Sequence, residues 1–171
     1  MREEIIIAGS GGQGIMFFGT LLCNIAVSQN KYTTFFPSYG AEIRGGTANC
    51  SVIISDDEIG SPVIVKPSIL VAMNEQSFEK FSPKLRKGGL LIVNSSLVSS
   101  APKDAVLVPA TDIAMEAGDV RAANMVLLGR LISETKIFTQ FAAVDIIKSV
   151  FAGKKNLLEI NLSAFNRDVK L

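Results

Sequence analysis

A short β-branched run, residues 5–8 (IIIA), ends in Gly9, Ser10, Gly11, Gly12, Gln13 and Gly14, and residues 15–28 then carry apolar side chains at helical spacing. Strand, glycine turn and helix in that order open a βαβ unit, which limits the chain to a sheet with parallel pairs and helical crossovers. The helix has only a narrow polar stripe, Thr20, Asn24 and Ser28. Ile15, Phe18, Leu22 and Ile25 suit the sheet, and Met16, Phe17, Cys23 and Val27 are left over. A helix so nearly apolar all round is expected to be covered on both sides.

The rest of the chain repeats the alternation. Strands are expected at residues 32–36, where Pro37 ends the run, and at 48–54, 61–65, 69–73, 90–93 and 105–108. Helices are expected at 75–85, from Asp112 to a break near Gly118 and Asp119, then at 122–134, 141–151 and 157–169. The fold class read from this order is α/β: a single Rossmann-like three-layer domain over residues 1–171, with a mainly parallel sheet and an added antiparallel hairpin around residues 48–65. Asp56, Asp57 and Glu58 between those hairpin strands read as a solvated turn, because adjacent carboxylates on a turn splay apart.

Nearly half the residues, 48%, are hydrophobic, and the mean hydropathy of +0.36 is high for a soluble monomer. The surplus is expected to lie against partner subunits. It does not form a membrane span, since Gly19, Thr20 and Asn24 interrupt one apolar stretch and Gly129 and Arg130 another. The opening Met1, Arg2, Glu3, Glu4 is too acidic for a secretory signal, so a cytoplasmic location is expected. Seventeen Lys and Arg against sixteen Asp and Glu leave no field that would attract nucleic acid. Histidine is absent and the two cysteines, Cys23 and Cys50, form no CxxC pair. Metal sites, iron–sulfur clusters and histidine acid–base chemistry therefore lack their usual groups, and both thiols are expected to be buried small hydrophobes.

Function should sit where polar loops follow strands, because open α/β sheets bind ligands beyond the strands' carboxyl ends. Gly9 to Gly14, Ser38 to Gly46, Asn74 to Gln76, Asn94 to Ser96, and Thr111 with Asp112 are expected to converge there. Residues 38–49 (SYGAEIRGGTAN) are the most distinctive of these. Ser38, Tyr39, Glu42, Arg44, Gly45, Gly46 and Thr47 read either as a ligand-facing surface or as a long glycine-rich hairpin turn. Gly9, Gly11 and Gly14 match GxGxxG, whose amides and helix end suit an anion. A dinucleotide site also needs an acid closing the second strand, which here ends Phe35, Phe36, Pro37. The loop is thus left between holding another anion and packing against a neighbouring subunit.

Taken together, GSGGQG, FPSYGAEIRGGTANCSVIIS with IGSP after it, and RAANMVLLGRL resemble the gamma subunit of 2-oxoacid:ferredoxin oxidoreductases over essentially the whole chain. The resemblance implies coenzyme-A-consuming oxidative decarboxylation of a 2-oxoacid, closest to the kind acting on 2-oxoglutarate or branched 2-oxoacids, with ferredoxin as electron acceptor. It also implies that thiamine diphosphate, Mg and iron–sulfur clusters are held by alpha and beta subunits, with a ferredoxin-like delta subunit in some assemblies. The chain has neither the GDG…N motif of a thiamine diphosphate site nor the cysteines of a cluster. By the resemblance Gly9 to Gly14 and Tyr39 to Thr47 face the assembled active site and the coenzyme A path, and no residue here is catalytic. A free-standing nucleotide- or small-molecule-binding module using the glycine loop is the competing expectation.

Overall fold

A computed structural model of the protein describes residues 1–38 and 47–167. Six strands, β1 (Arg2–Ser10), β2 (Tyr32–Ser38), β3 (Thr47–Ser55), β4 (Ile69–Ala72), β5 (Leu90–Asn94) and β6 (Val106–Val108), form one sheet in the order β2-β3-β1-β4-β5-β6. Pairs β1–β4, β4–β5 and β5–β6 are parallel, while β3 runs antiparallel to both β1 and β2. The α/β class with a parallel sheet and an antiparallel hairpin therefore holds, but the hairpin is placed differently. Its arms are β2 and β3, with Ser38 opposite Asn49, and residues 61–65 form no strand. The β-branched run at 63–65 looks like a strand locally, yet Pro62 and Pro67 on either side lack an N–H for a ladder and Val63 gives its own N–H to Ser61 Oγ at 3.2 Å.

Alternation along the strands sorts side chains to two faces. On the front, Ile5 and Ile7, Val52 and Ile54, Val71 and Ile92 meet α1 (Ile15–Ser28), α3 (Ala110–Ala117), α4 (Ala123–Thr135), α5 (Gln140–Val150) and α6 (Lys155–Arg167) in the main core. On the back, Ile6, Ala8 and Leu70 meet Phe81, and Ala72 and Val93 meet Phe78, both rings being on α2 (Glu75–Phe81). Phe18, Leu22 and Ile25 of α1 are buried completely or nearly so, each contributing about 1.5–3 kcal/mol by leaving water. Gly19 lets this helix lie close to the sheet, since a Cβ there would stand 2.7 Å from both Cys50 Sγ and a Phe35 ring carbon. The outer side of α1 is covered within the chain: Phe17 meets Phe151, just beyond α5, edge-on at 5.7 Å between centroids. Among the leftover apolar residues only Val27 stays in solvent. No helix among the described residues is long and apolar enough to cross a membrane.

The acidic turn after β3 is not merely solvated. Asp56 accepts from Lys31 Nζ at 2.7 Å and from the Met1 amine at 2.6 Å, which lowers its carboxyl to about 2. Cys50 lies under α1 with its thiol directed at the Ile15 carbonyl oxygen, 3.5 Å away. Burial, with Cys23 nearby adding to it, pushes this thiol from 9.0 up to about 12. Burial also raises Cys23, although Thr33 donates to its sulfur at 3.3 Å. A thiol raised by folding stabilises the fold below its ordinary value and loses that contribution as pH climbs toward the folded value. Urea unfolding should therefore show stability declining from about pH 9 toward about pH 12, less steeply in Cys50→Ala, and a thiol reagent at pH 8 should label Cys50 only after unfolding. Rapid labelling of native Cys50 would contradict this burial.

Candidate functional site

The carboxyl ends of β1, β4, β5 and β6 meet in one hydrogen-bonded edge. Gln13 folds back into its own loop: its Oε1 accepts the Ser10 N–H at 2.6 Å, and its Nε2 donates to the Met73 carbonyl oxygen at 3.4 Å. Asn74 donates to Ser10 Oγ and, as N-cap of α2, accepts the Ser77 N–H at 2.9 Å. The buried Asn94 donates to the Met73 carbonyl oxygen at 3.3 Å and to Thr111 Oγ1 at 2.9 Å, and Ser96 donates to Asp112 at 2.9 Å. Neutral amides and hydroxyls thus tie the four strand ends together. Asn94 is its buried member, and losing the Met73 carbonyl or Thr111 as partner would leave that amide unsatisfied.

Inside this frame the glycine loop leads into α1 through Gly12 and Gly14 with φ of +88° and +72°. Gly14 is the N-cap and has no side chain to accept from the first turn, which also lacks an acidic residue. The positive end of the helix is therefore left uncompensated by the chain, a setting that favours an anion. Asn124 of α4 holds the turn from below, donating to the Gly14 carbonyl oxygen at 3.3 Å.

Beside the turn opens a cleft of about 320 Å³, lined by Gly12, Gly14, Phe17, Phe151, Asp119, Arg121 and Asn124 among others. Asp119 caps the short turn Val120–Ala122 by accepting the Arg121 N–H at 2.9 Å and also takes its guanidinium, with Nη2 to Oδ2 at 2.6 Å. The Arg121 hydrogen bond holds the Asp119 carboxyl below the usual carboxylate range and raises the guanidinium in turn. An exposed guanidinium paired with Asp119, an uncapped helix end and two phenyl rings line one opening, a combination that suits a ligand with an anionic group and a flat apolar part.

The residues singled out from sequence fall into two groups. Gly9, Ser10, Gly11, Gly12, Gln13 and Gly14 form the loop just described, and Thr47 lies across from Ser10 in the β1–β3 register, its hydroxyl accepting from Lys80 Nζ at 2.9 Å. Ser38 ends β2 one strand further out. Tyr39, Glu42, Arg44, Gly45 and Gly46 lie outside the described residues. On either side of them β2 and β3 pair antiparallel. The test for a dinucleotide acid needs correcting too. The strand hydrogen-bonded parallel to β1 is β4, ending at Ala72 with Met73 and Asn74 after it, and β3 separates β1 from β2. No carboxylate closes that strand either.

Asp119, Arg121 and Asn124 carried a signal, since Arg121 and Asn124 belong to the RAANMVLLGRL motif, but nothing local placed them against a loop more than a hundred residues earlier. The packing of α4 in the front core does so.

Residues 4–170 match the family described as pyruvate ferredoxin/flavodoxin oxidoreductase. The chain is 38% identical to the ketoisovalerate oxidoreductase subunit VorA of Methanothermobacter marburgensis over 93% of its own length, but it spans only 34% of that longer relative. It is 37% identical to the 2-oxoglutarate synthase subunit KorC of Methanocaldococcus jannaschii, with 98% of this chain and 92% of that one aligned. Among solved structures, the gamma subunit of a keto/oxoacid ferredoxin oxidoreductase from Geobacter sulfurreducens superposes with a TM-score of 0.83 at 27% identity, covering 99% of each chain.

Proposed function

The chain belongs to the pyruvate ferredoxin/flavodoxin oxidoreductase family, and from that premise we propose that it is the non-catalytic gamma subunit of a 2-oxoacid:ferredoxin oxidoreductase. The reaction is the coenzyme-A-dependent oxidative decarboxylation of a 2-oxoacid, 2-oxoglutarate foremost. Carbon dioxide leaves, the acyl group passes to the thiol of coenzyme A, and two electrons pass to ferredoxin. The match over residues 4–170 carries the assignment, and the full-length correspondence with KorC favours 2-oxoglutarate. It gives no support to a free-standing binding module.

Residues 1–171 act as one gamma-type domain, and the cofactors sit elsewhere. Thiamine diphosphate with its Mg would need a pyrophosphate and metal motif, and a cluster needs a set of thiolates. This chain offers one buried thiol, Cys50, and one half-buried thiol, Cys23, and its described residues hold no group of three His, Cys, Asp or Glu that could bind a metal. Those groups do not fit here and are assigned to the alpha and beta subunits. This chain walls the site, with Gly9 to Gly14, Ser38, Tyr39, Glu42, Arg44, Gly45, Gly46 and Thr47 facing it. The cleft takes the nucleotide end of coenzyme A: the α1 terminus and Arg121 suit its phosphates, and Phe17 and Phe151 suit its adenine.

Anaerobic purification through a tag on this chain, followed by native mass spectrometry, tests the assignment. Thiamine- and cluster-bearing chains should copurify, and the complex should reduce ferredoxin with 2-oxoglutarate and coenzyme A. A chain that recovers no such partners would refute it.

A further inference from the structure

Among the described residues the back of the sheet carries one α-helix, α2, which packs on β1 and β4 and, through Phe78 against Val93, on β5. Over β2 and β3 the cover is the extended segment of residues 61–65, pinned by Ile64 against the cluster of Ile6, Leu70 and Phe81. Its flanking Val63 and Val65 are 66% and 73% exposed, and Phe36 on β2 is 52% exposed. Between them runs a groove of about 470 Å³, floored by Ile6, Asn49 and Ser51 and bounded by Phe81 and Lys84. Contiguous apolar side chains in water beside a groove mark an interaction surface.

The charge around it is one-sided. Among the described lining residues Lys84 is the one charged side chain, and Lys84 and Lys80 stand 5.2 and 5.7 Å from the Phe81 ring centroid. Neither lysine forms a salt bridge among the described residues. Along residues 61–90 the chain carries Lys66, Lys80, Lys84, Arg86 and Lys87 against Glu75 and Glu79, and Glu75 is taken up by Ser99 and Ser100. A second copy seated on this face by a two-fold axis would set the same lysines against each other, so self-association is disfavoured.

We propose that this groove seats an extended segment of a partner subunit in which apolar side chains alternate with carboxylates. The apolar positions cover Phe36, Val63 and Val65, and the carboxylates pair with Lys84 and its neighbours. The inference rests on the subunit assignment above and adds the surface by which the chain docks.

The test compares assembled complexes carrying the wild-type chain, the double variant Val63→Glu with Val65→Glu, Lys84→Glu, and a front-face control, Val27→Glu with Phe141→Glu. Val27 and Phe141 are as exposed as the groove valines, at 62% and 75%. Native mass spectrometry at ionic strengths from about 50 to about 500 mM reads retention of the chain. Both groove variants should be retained at least about tenfold more weakly, the control should match wild type, and wild-type retention should weaken with salt. Circular dichroism of each free variant confirms that it is folded. If the wild type assembles and both groove variants assemble equally well, only the groove assignment falls. Groove variants that instead abolish a dimer of the free chain would replace the proposed partner with a second copy. A wild-type chain entering no complex overturns the subunit assignment and this inference together.

Discussion

Replacing Gly14 by alanine is expected to lower the stability of the chain by about 2–5 kcal/mol, while alanine at Gly11 changes it by less than about 0.5 kcal/mol. Gly14 has a left-handed φ of +72°, which alone costs an L-residue about 1–2 kcal/mol. Its added Cβ would also lie 2.3 Å from Asn124 Nδ2 and 3.3 Å from Asn124 Cγ. The end of a side chain can often move aside, but Asn124 is buried and donates to the Gly14 carbonyl oxygen, so retreat would leave its amide unpaired while the carbonyl keeps the Phe18 N–H at 2.9 Å. Gly12 separates the two effects. Its φ is +88° with nothing within 4 Å of the Cβ position, so Gly12→Ala should show the backbone cost alone, about 1–2 kcal/mol. Urea denaturation of the three variants should rank the damage Gly14, then Gly12, then Gly11. Equal damage at Gly11 and Gly14 would mean that the turn is not built as described.

Arg121→Ala in the assembled enzyme should raise KM for coenzyme A by about 10- to 100-fold through loss of a charge-assisted hydrogen bond to phosphate. The lower end is the better expectation, because the Arg121 side chain is 75% exposed in this chain. KM for the 2-oxoacid should stay within about twofold, since the cleft is assigned to the co-substrate's nucleotide end. Arg121→Lys should restore part of the loss, because a lysine keeps the charge without the forked geometry. Asp119→Asn should cost less than Arg121→Ala, for it loosens the guanidinium without removing it. An unchanged KM for coenzyme A in Arg121→Ala would remove the cleft from the coenzyme A path and leave the family assignment untouched.

The front of the fold was legible in sequence because its signals are local. The expected first helix, residues 15–28, coincides with α1, since Gly14 starts it and the apolar spacing is uninterrupted. The break at Gly118 is real because that glycine takes the left-handed helix stop, with φ of +113°. Residues 61–65 mislead because strand propensity describes a side chain's fit to a pleated surface, whereas a strand also needs an open neighbour to bond to. The edge that could have served is the free side of β2. The convergence of Asn74, Asn94 and Thr111 follows from topology and was foreseeable. The contribution of Asp119 and Arg121 was not, because it depends on α4 reaching back to Gly14.

The cleft lies in front of the sheet and the bare groove behind it, and among their described lining residues the two have none in common. Mutations that retune how the domain is held in its assembly need not disturb the pocket, and the reverse is equally true. Under the two assignments proposed above, variants in the groove and variants in the cleft are expected to act independently on assembly and on coenzyme A affinity.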